Sequence, residues 1–284
     1  MSGVLTSEVV LRLGAFLAVF AAMAVWETVA PRRVLRMPKG ARWTANLGVA
    51  ALNTLLVRLL FPAAAVGAAA VAADHGWGVV ALLNLPVWAA VPLSVVALDL
   101  AIYLQHVLFH AVPTLWRLHR VHHADLDFDV TTGLRFHPIE TILSMFLKLS
   151  VVVALGPPVL AVLVFEVLLN ATSMFNHGNV RLAGSGERVL RSVFVTPDMH
   201  RVHHSVLRQE ANSNFGFCLS WWDRLLGTYR AQPMAGHEGM TIGTAHLQDA
   251  RDQTLGWLLR LPALTSTGLY AIGSRADARI IALE

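Results

Sequence analysis

The chain has 284 residues, 55% hydrophobic and only 14% charged. That is too apolar for an ordinary soluble domain, and the apolar residues come in long runs, so the protein is read as membrane-embedded. A net charge of +4 and a pI near 9.8 suggest nucleic acid at first sight. The arginines instead flank apolar spans, the positive-inside pattern, which removes nucleic acid as a partner. A single cysteine, Cys218, excludes an internal disulfide and says nothing of compartment.

The first apolar span runs from about Val9 to Ala30 and stops at Pro31. No basic residue precedes Arg12 and no clear small-residue cleavage site is present, so a retained helix is expected rather than a signal peptide. Arg32, Arg33, Arg36, Lys39 and Arg42 crowd the next loop and place that side in the cytoplasm, here of a bacterial inner membrane. A second span, about Asn46 to Ala73, carries Arg58 near its middle, where the side chain must face protein or snorkel. Asp74, His75, Gly76 and Gly78 form a short external turn. The third span, about Val80 to Leu104, returns to the cytoplasmic side and delivers His106 and His110. Asp99, Tyr103 and His106 share one face of that helix.

Residues 111–140 are polar and lie outside the hydrocarbon. From Thr141 to Phe175 the chain is apolar again, roughly 50 Å if it were one straight helix. Gly156-Pro157-Pro158 breaks it near the middle. One kinked crossing would strand the last histidines on the far side; a hairpin, with arms of about 14 to 18 residues, brings them back. After His177 the chain stays polar to its end. Thr196-Pro197-Asp198 reads as a helix start, and Leu255 to Leu269 as a stretch along the interface. The expected fold is all-α and integral to the membrane, a single domain over residues 1–284. It has about three spanning helices in 1–110, a proline-broken hairpin in 141–175, and a cytoplasmic histidine-rich helical cap from 111–140 and 176–284.

The pentapeptide His-Arg-Val-His-His occurs twice, at residues 119–123 and 200–204, and His106 and His110 add a pair at i,i+4 spacing. Eight of the thirteen histidines lie in these three boxes. On a helix, each His-x-x-His-His can aim three imidazoles at one point, or two at one ion and one at its neighbour. An ion rarely takes more than six ligands, so the number suits a dinuclear centre with four or five histidines per ion. Histidines that merely hydrogen-bond at an interface would not gather in this way. His-Glu-x-x-His is absent, which removes the zinc-protease motif. A single cysteine does not suit structural zinc, and the clustering at helix ends does not suit bis-histidine haem.

These residues resemble the fatty acid hydroxylase and sterol desaturase superfamily. The likeness rests on Asp99-x-x-x-Tyr103-x-x-His106-x-x-x-His110, both His-x-x-His-His boxes, Arg135-x-His137-Pro-x-Glu140 and Asn176-His177. It continues through Asn212-x-Asn214-Phe215-Gly216 and Trp222-Asp223-Arg224-Leu225-x-Gly227-Thr228-Tyr229, so that it covers about residues 90 to 230. The resemblance implies a non-haem di-iron, oxygen-dependent oxidoreductase acting on lipid C–H bonds. It implies His106, His110, His119, His122, His123, His177, His200, His203 and His204 as metal ligands. Ser173 stands where the family often has a further histidine, leaving His137, water or nothing to take that place.

Each ligating imidazole needs its other nitrogen hydrogen-bonded. Asp99, Glu140, Asp198 and Asp223 are the acids nearest the boxes, with Asp198 and Asp99 preferred for that role. Asn212 and Asn214 are either turn formers or participants. Arg120 and Arg201 are expected to pair with acids or lipid headgroups, and His75, His237 and His246 to lie on the surface. The expected reaction is hydroxylation or desaturation of a membrane lipid, with two iron ions, molecular oxygen and a separate electron-transfer protein fed ultimately by NAD(P)H. The competing reading is a non-catalytic membrane metal-binding or metal-transfer protein, whose ligands should be spread through its spans rather than gathered on one side.

Overall fold

The computed structural model describes residues 2–263 and 270–273. Among these the regular structure is helical, in the order α1 Ser2–Val29, α2 Lys39–Leu60, α3 Ala64–Asp74, α4 Val79–Leu82, α5 Val87–Ala111, α6 Pro113–His123, α7 Pro138–Leu155 and α8 Val159–Asn176. The cap continues with α9 Gly184–Arg191, α10 Pro197–His203, α11 Arg208–Ala211, α12 Trp221–Leu225, α13 Gly236–Gly239 and α14 Leu255–Arg260. Five segments are long and apolar enough to cross a membrane: 10–29, 39–82, 87–111, 138–155 and 159–176. Three spans and a two-armed hairpin account for them.

The second span is not one helix. Pro62 cannot donate to the ladder, so α2 ends at Leu60, Phe61 turns out at φ −132°, and the chain restarts at α3. Arg58 sits in the last turn of α2, exposed, near the middle of the candidate span 39–82. α3 is rich in alanine, and Ala65, Ala69 and Ala72 are completely buried. Such small side chains let it pack closely against α7 and α8, where Val66, Val152, Val162 and Phe165 join one cluster with Leu98 and Ile102 of α5.

The apolar stretch from 138 to 176 does turn back. α7 ends in Gly156 at φ +57°, the left-handed residue that closes a helix, and Pro158 precedes α8. Each arm has 18 residues, about 27 Å. At this far end Gly156 lies against the 75–78 turn so closely that a Cβ on it would come 1.9 Å from Trp77 O. The other ends, namely the C-termini of α1, α5 and α8 and the N-termini of α2 and α7, meet beneath the cap.

The loop between α1 and α2 holds the cap down. Arg42, fully buried, donates from Nε and Nη2 to Asp125 at 2.7 and 2.9 Å, and from Nη1 to Asp129 at 2.7 Å. Arg32 reaches Asp198 at 3.4 Å, and Arg36 Nη1 donates to Gln248 at 2.7 Å. The charge density of this loop thus has a packing role as well as a topological one. One face of α14 packs on the protein: Leu258 and Leu261 are completely buried with Ala45, Val121 and Ala124 of α2, α6 and the residue after it. Residues 264–269 of the stretch expected along the interface lie outside the described residues.

Candidate metal centre

Nine histidines converge from four elements beneath the cap. His106 and His110 come from the last turns of α5, and His119, His122 and His123 from α6. His177 caps α8, and α10 brings His200 and His203, with His204 at its C-terminus. Thr196 Oγ1 accepts from Met199 N–H and Pro197 takes the first helical position, so α10 starts where the expected cap lies. All nine imidazoles are buried.

They fall into two groups: His106, His110, His119, His123 and His203, and His122, His177, His200 and His204. Within each group the potential ligand atoms lie within 4.8 Å of one another. The two pentapeptides divide in crossed fashion. The first sends its i,i+4 pair, His119 and His123, to the five-membered group and His122 to the other. The second sends His200 and His204 to the four-membered group and His203 to the first. The groups adjoin, with ring centroids of His123 and His204 4.6 Å apart.

Hydrogen bonding fixes the tautomers. His106 Nδ1 donates to Phe215 O at 2.7 Å, His177 Nδ1 to Ser173 O at 2.7 Å and His203 Nδ1 to Ser213 O at 2.7 Å. His119 Nδ1 donates to Glu140 Oε1 at 2.6 Å. Asn212 Nδ2 donates to Tyr270 O, so its Oδ1 accepts from His110 Nδ1 at 3.1 Å. In these five rings Nδ1 carries the proton and Nε2 is a bare lone pair. Yet His106 Nε2 and His119 Nε2 face each other at 3.0 Å. His110 and His123 do so at 3.1 Å, as does His177 with both His122 and His200. His203 Nε2 and both nitrogens of His204 have no hydrogen-bond partner.

At the His106–His119 contact both nitrogens are unprotonated, and two lone pairs at such a distance repel unless a cation lies between them. Nitrogens about 2.1 Å from a shared ion stand about 3 Å apart when adjacent and about 4.2 Å when opposite. The spacing found is that of ligand shells, and the residues fit a pair of metal ions. Burial, reinforced by neighbouring imidazoles, pushes His122, His123, His200, His203 and His204 well below the ordinary histidine range, and His177 to about 4. Neutral imidazole is the form that binds metal.

An aromatic shell closes the site. Phe136 stacks on His122 at 4.5 Å, Phe128 lies 5.0 Å from His204, and Trp116 lies 4.8 Å from His110. Phe215 and Phe217 stand 5.5 and 5.2 Å from His106.

The remaining expected residues lie elsewhere. His137 caps α7: Nδ1 accepts from Ile139 N–H at 3.2 Å and Nε2 donates to Leu259 O at 3.2 Å, so no lone pair remains for a metal. Ser173 Oγ donates to Gly133 O, and its own carbonyl orients His177. Asp99 and Asp198 touch none of the nine imidazoles. Asp99 lies two turns before His106, about 10 Å along α5, and accepts instead from Cys218 and Leu219 N–H and Trp222 Nε1. Asp198, in the first turn of α10, points outward to Arg201, Arg32 and His237.

Glu140 holds an imidazole in their place, and Asp223 acts one step further out by accepting from Phe215 and Gly216 N–H. His237 is buried beside Asp198 rather than on the surface, whereas His75 and His246 are exposed. Arg201 pairs with Asp198 as expected, and Arg120 Nη2 donates to Leu261 O. Three of the Nδ1 acceptors are backbone carbonyls, which carry no residue signal. Asn212 was legible as a candidate from its place after the second box; Asn214, at φ +53°, is the turn former.

Residues 91–228 match the fatty acid hydroxylase family model. An ornithine lipid hydroxylase of Rhizobium tropici is 34% identical over 143 residues, 50% of this chain and 42% of that protein. Human alkylglycerol monooxygenase is 27% identical over 180 residues, 60% of this chain and 37% of that one. Rat cholesterol 25-hydroxylase is 29% identical over 168 residues, 55% of each. The chain thus spans about two fifths of the length of the first two relatives, and no solved structure matches it. Residues 91–228, the stretch that carries all nine converging histidines, are thus similar to the fatty acid hydroxylase family.

Proposed function

We propose that the protein is an oxygen-dependent di-iron oxidoreductase that hydroxylates, or desaturates, a C–H bond of a membrane lipid. The observation that carries the reading is the convergence of nine buried imidazoles into two adjacent groups at ligand-shell spacing, with the bare Nε2 lone pairs of His106 and His119 facing each other at 3.0 Å. In this reading His106, His110, His119, His123 and His203 hold one iron, and His122, His177, His200 and His204 hold the other. Such a pair supplies reductive activation of molecular oxygen, the chemistry needed to attack an unactivated C–H bond.

The chain's own groups set the geometry. Phe215 O, Ser213 O, Ser173 O, Asn212 and Glu140 keep five imidazoles in the tautomer that presents Nε2. Phe128, Phe136, Phe215 and Phe217 exclude water around them. In hydroxylation one oxygen atom enters the lipid and the other leaves as water, with two electrons and two protons consumed. Those electrons are assigned to a separate donor protein drawing on NAD(P)H.

The relatives named above act on an ornithine lipid, an alkylglycerol and cholesterol, which supports a lipid substrate and favours hydroxylation. The basic loop between α1 and α2, on the histidine side, supports a cap in the cytoplasm, and the Rhizobium relative a bacterial inner membrane.

The test is lipid profiling of cells expressing the protein under labelled oxygen, with His122→Ala as control. A lipid that gains one labelled oxygen only with the unchanged protein is the expected result. Metal-loaded protein with an unaltered lipid profile would favour the non-catalytic metal-binding reading instead.

A further inference from the structure

The segment after the second pentapeptide packs against α5 within the residues of its candidate membrane span. Cys218 and Leu219 N–H donate to the Asp99 carboxylate at 3.2 and 3.1 Å, and Trp222 Nε1 donates to it at 2.9 Å. α5 ends at Ala111, so Asp99 lies about 18 Å back down that helix. Cys218 Sγ meets Thr172 Oγ1 at 3.1 Å, one turn short of the end of α8. Backbone at this depth has little water to bond, and the donors are met from within. Phe215 and Gly216 N–H go to Asp223, Cys218 and Leu219 N–H to Asp99, and Ser220 N–H to Val193 O. A Cβ on Gly216 would come 2.8 Å from Asp223 Oδ2, so the tight carboxylate turn depends on glycine there.

The outer side of the segment is apolar and exposed. Trp221, Leu225 and Leu226 are 40%, 73% and 54% exposed, and Val189 and Phe194 beside them 72% and 40%. The two stretches are locked together: Val195 N–H donates to Cys218 O at 3.0 Å and Trp221 Nε1 to Ser192 O at 3.2 Å. An open, largely apolar groove of about 480 Å³ runs along the α9 side. Arg188 and Arg224, each adjacent in sequence to an exposed apolar residue, are themselves exposed. A contiguous apolar face of this kind marks an interaction surface. Here it adjoins α5, which already presents Leu93, Leu104 and Leu108 outward.

We propose that the face built from Val189, Phe194, Trp221, Leu225 and Leu226 is seated in the lipid leaflet beneath the cap, with Arg188 and Arg224 at the phosphate headgroups. A tryptophan and flanking arginines are the side chains that the membrane interface favours. The inner side of the same segment carries Phe215 and Phe217 against the histidines. One short stretch therefore touches the metal centre on one side and the bilayer on the other. This seat rests on the membrane embedding of the chain and not on its activity.

A nitroxide at Leu225→Cys, in nanodiscs of phosphatidylcholine and phosphatidylglycerol, reads the seat directly, because Cys218 is buried and does not compete for the label. The expected result is an oxygen-to-nickel-chelate collision ratio several-fold above that of the same label at Arg251→Cys. Equal ratios at the two sites overturn the proposal. So does a label at 225 that is open to nickel in nanodiscs and becomes protected only when a redox protein is added, the mark of a protein-docking face. Trp221→Phe gives a second measurement. It should remove part of the tryptophan fluorescence that lipids brominated near the carbonyl quench, and an unchanged quenched fraction contradicts the seat.

Discussion

Glu140 Oε1 accepts from His119 Nδ1 at 2.6 Å, a bond between the first turn of α7 and the first pentapeptide. It is the one carboxylate among the described residues hydrogen-bonded to any of the nine imidazoles. Outer partners of this kind fix ring orientation and raise basicity. Glu140→Ala is expected to weaken metal binding about 10- to 100-fold, with Glu140→Gln, whose amide oxygen still accepts, intermediate. Metal retained after dialysis against graded chelator checks this; identical retention in all three proteins would remove Glu140 from the site.

The partition into five and four makes the histidine substitutions separable. His203→Ala and His122→Ala strike different groups, so each should lose about one metal per chain preferentially, as the coordination rules require. His137→Ala should keep both metals and cost about 0.5–2 kcal/mol of stability through the lost helix cap. Metal analysis alongside thermal melting distinguishes the two behaviours.

Arg42, Asp125 and Asp129 form a buried ion cluster that ties α2 to the chain following the first pentapeptide. Removing one partner leaves uncompensated buried charge, so Arg42→Met is expected to destabilise the protein by about 3–5 kcal/mol. Replacing Asp125 and Asp129 by asparagine in the same chain should recover part of that loss. Denaturation of the two variants beside the unchanged protein in detergent is the measurement.

The metal-free protein should lose stability as pH falls below about 6.5, the ordinary histidine value. His122, His123, His200, His203 and His204 are held well below it by burial, and His177 is lowered to about 4. Between these limits the unfolded chain takes up protons that the folded chain refuses, which favours unfolding. Burial alone would raise Asp125, but Arg42 and Arg135 hold it well below the usual carboxylate range. Its contribution therefore persists until far more acid pH, and the loss between pH 6.5 and 5 belongs to the imidazoles. Melting temperatures of metal-free protein across that interval test the point; a flat profile would mean that the rings are not buried and neutral.

Much of the molecule is legible in the residues themselves. Five apolar stretches, the break at Gly156-Pro157-Pro158 and the histidine spacing follow from local rules: hydrocarbon thickness, proline's missing N–H and the helical repeat. The split at Pro62 obeys the same rule, though the long apolar run around it conceals the break. The requirement that both pentapeptides share one side already demands the hairpin.

What the sequence by itself determined is the membrane class, the hairpin and eight or nine metal-seeking imidazoles. Only the tertiary structure decided which imidazole joins which group, because His-x-x-His-His is the same on α6 and α10, and their placement in the fold alone exchanges their roles. It also decided that Glu140, and not Asp99 or Asp198, holds a ring. Four acids stand near the boxes in sequence, and a hydrogen bond depends on where a side chain points after packing. The acceptors on Phe215, Ser213 and Ser173 were out of reach for the same reason, since every residue has a carbonyl and only the folded chain selects the three that meet an imidazole.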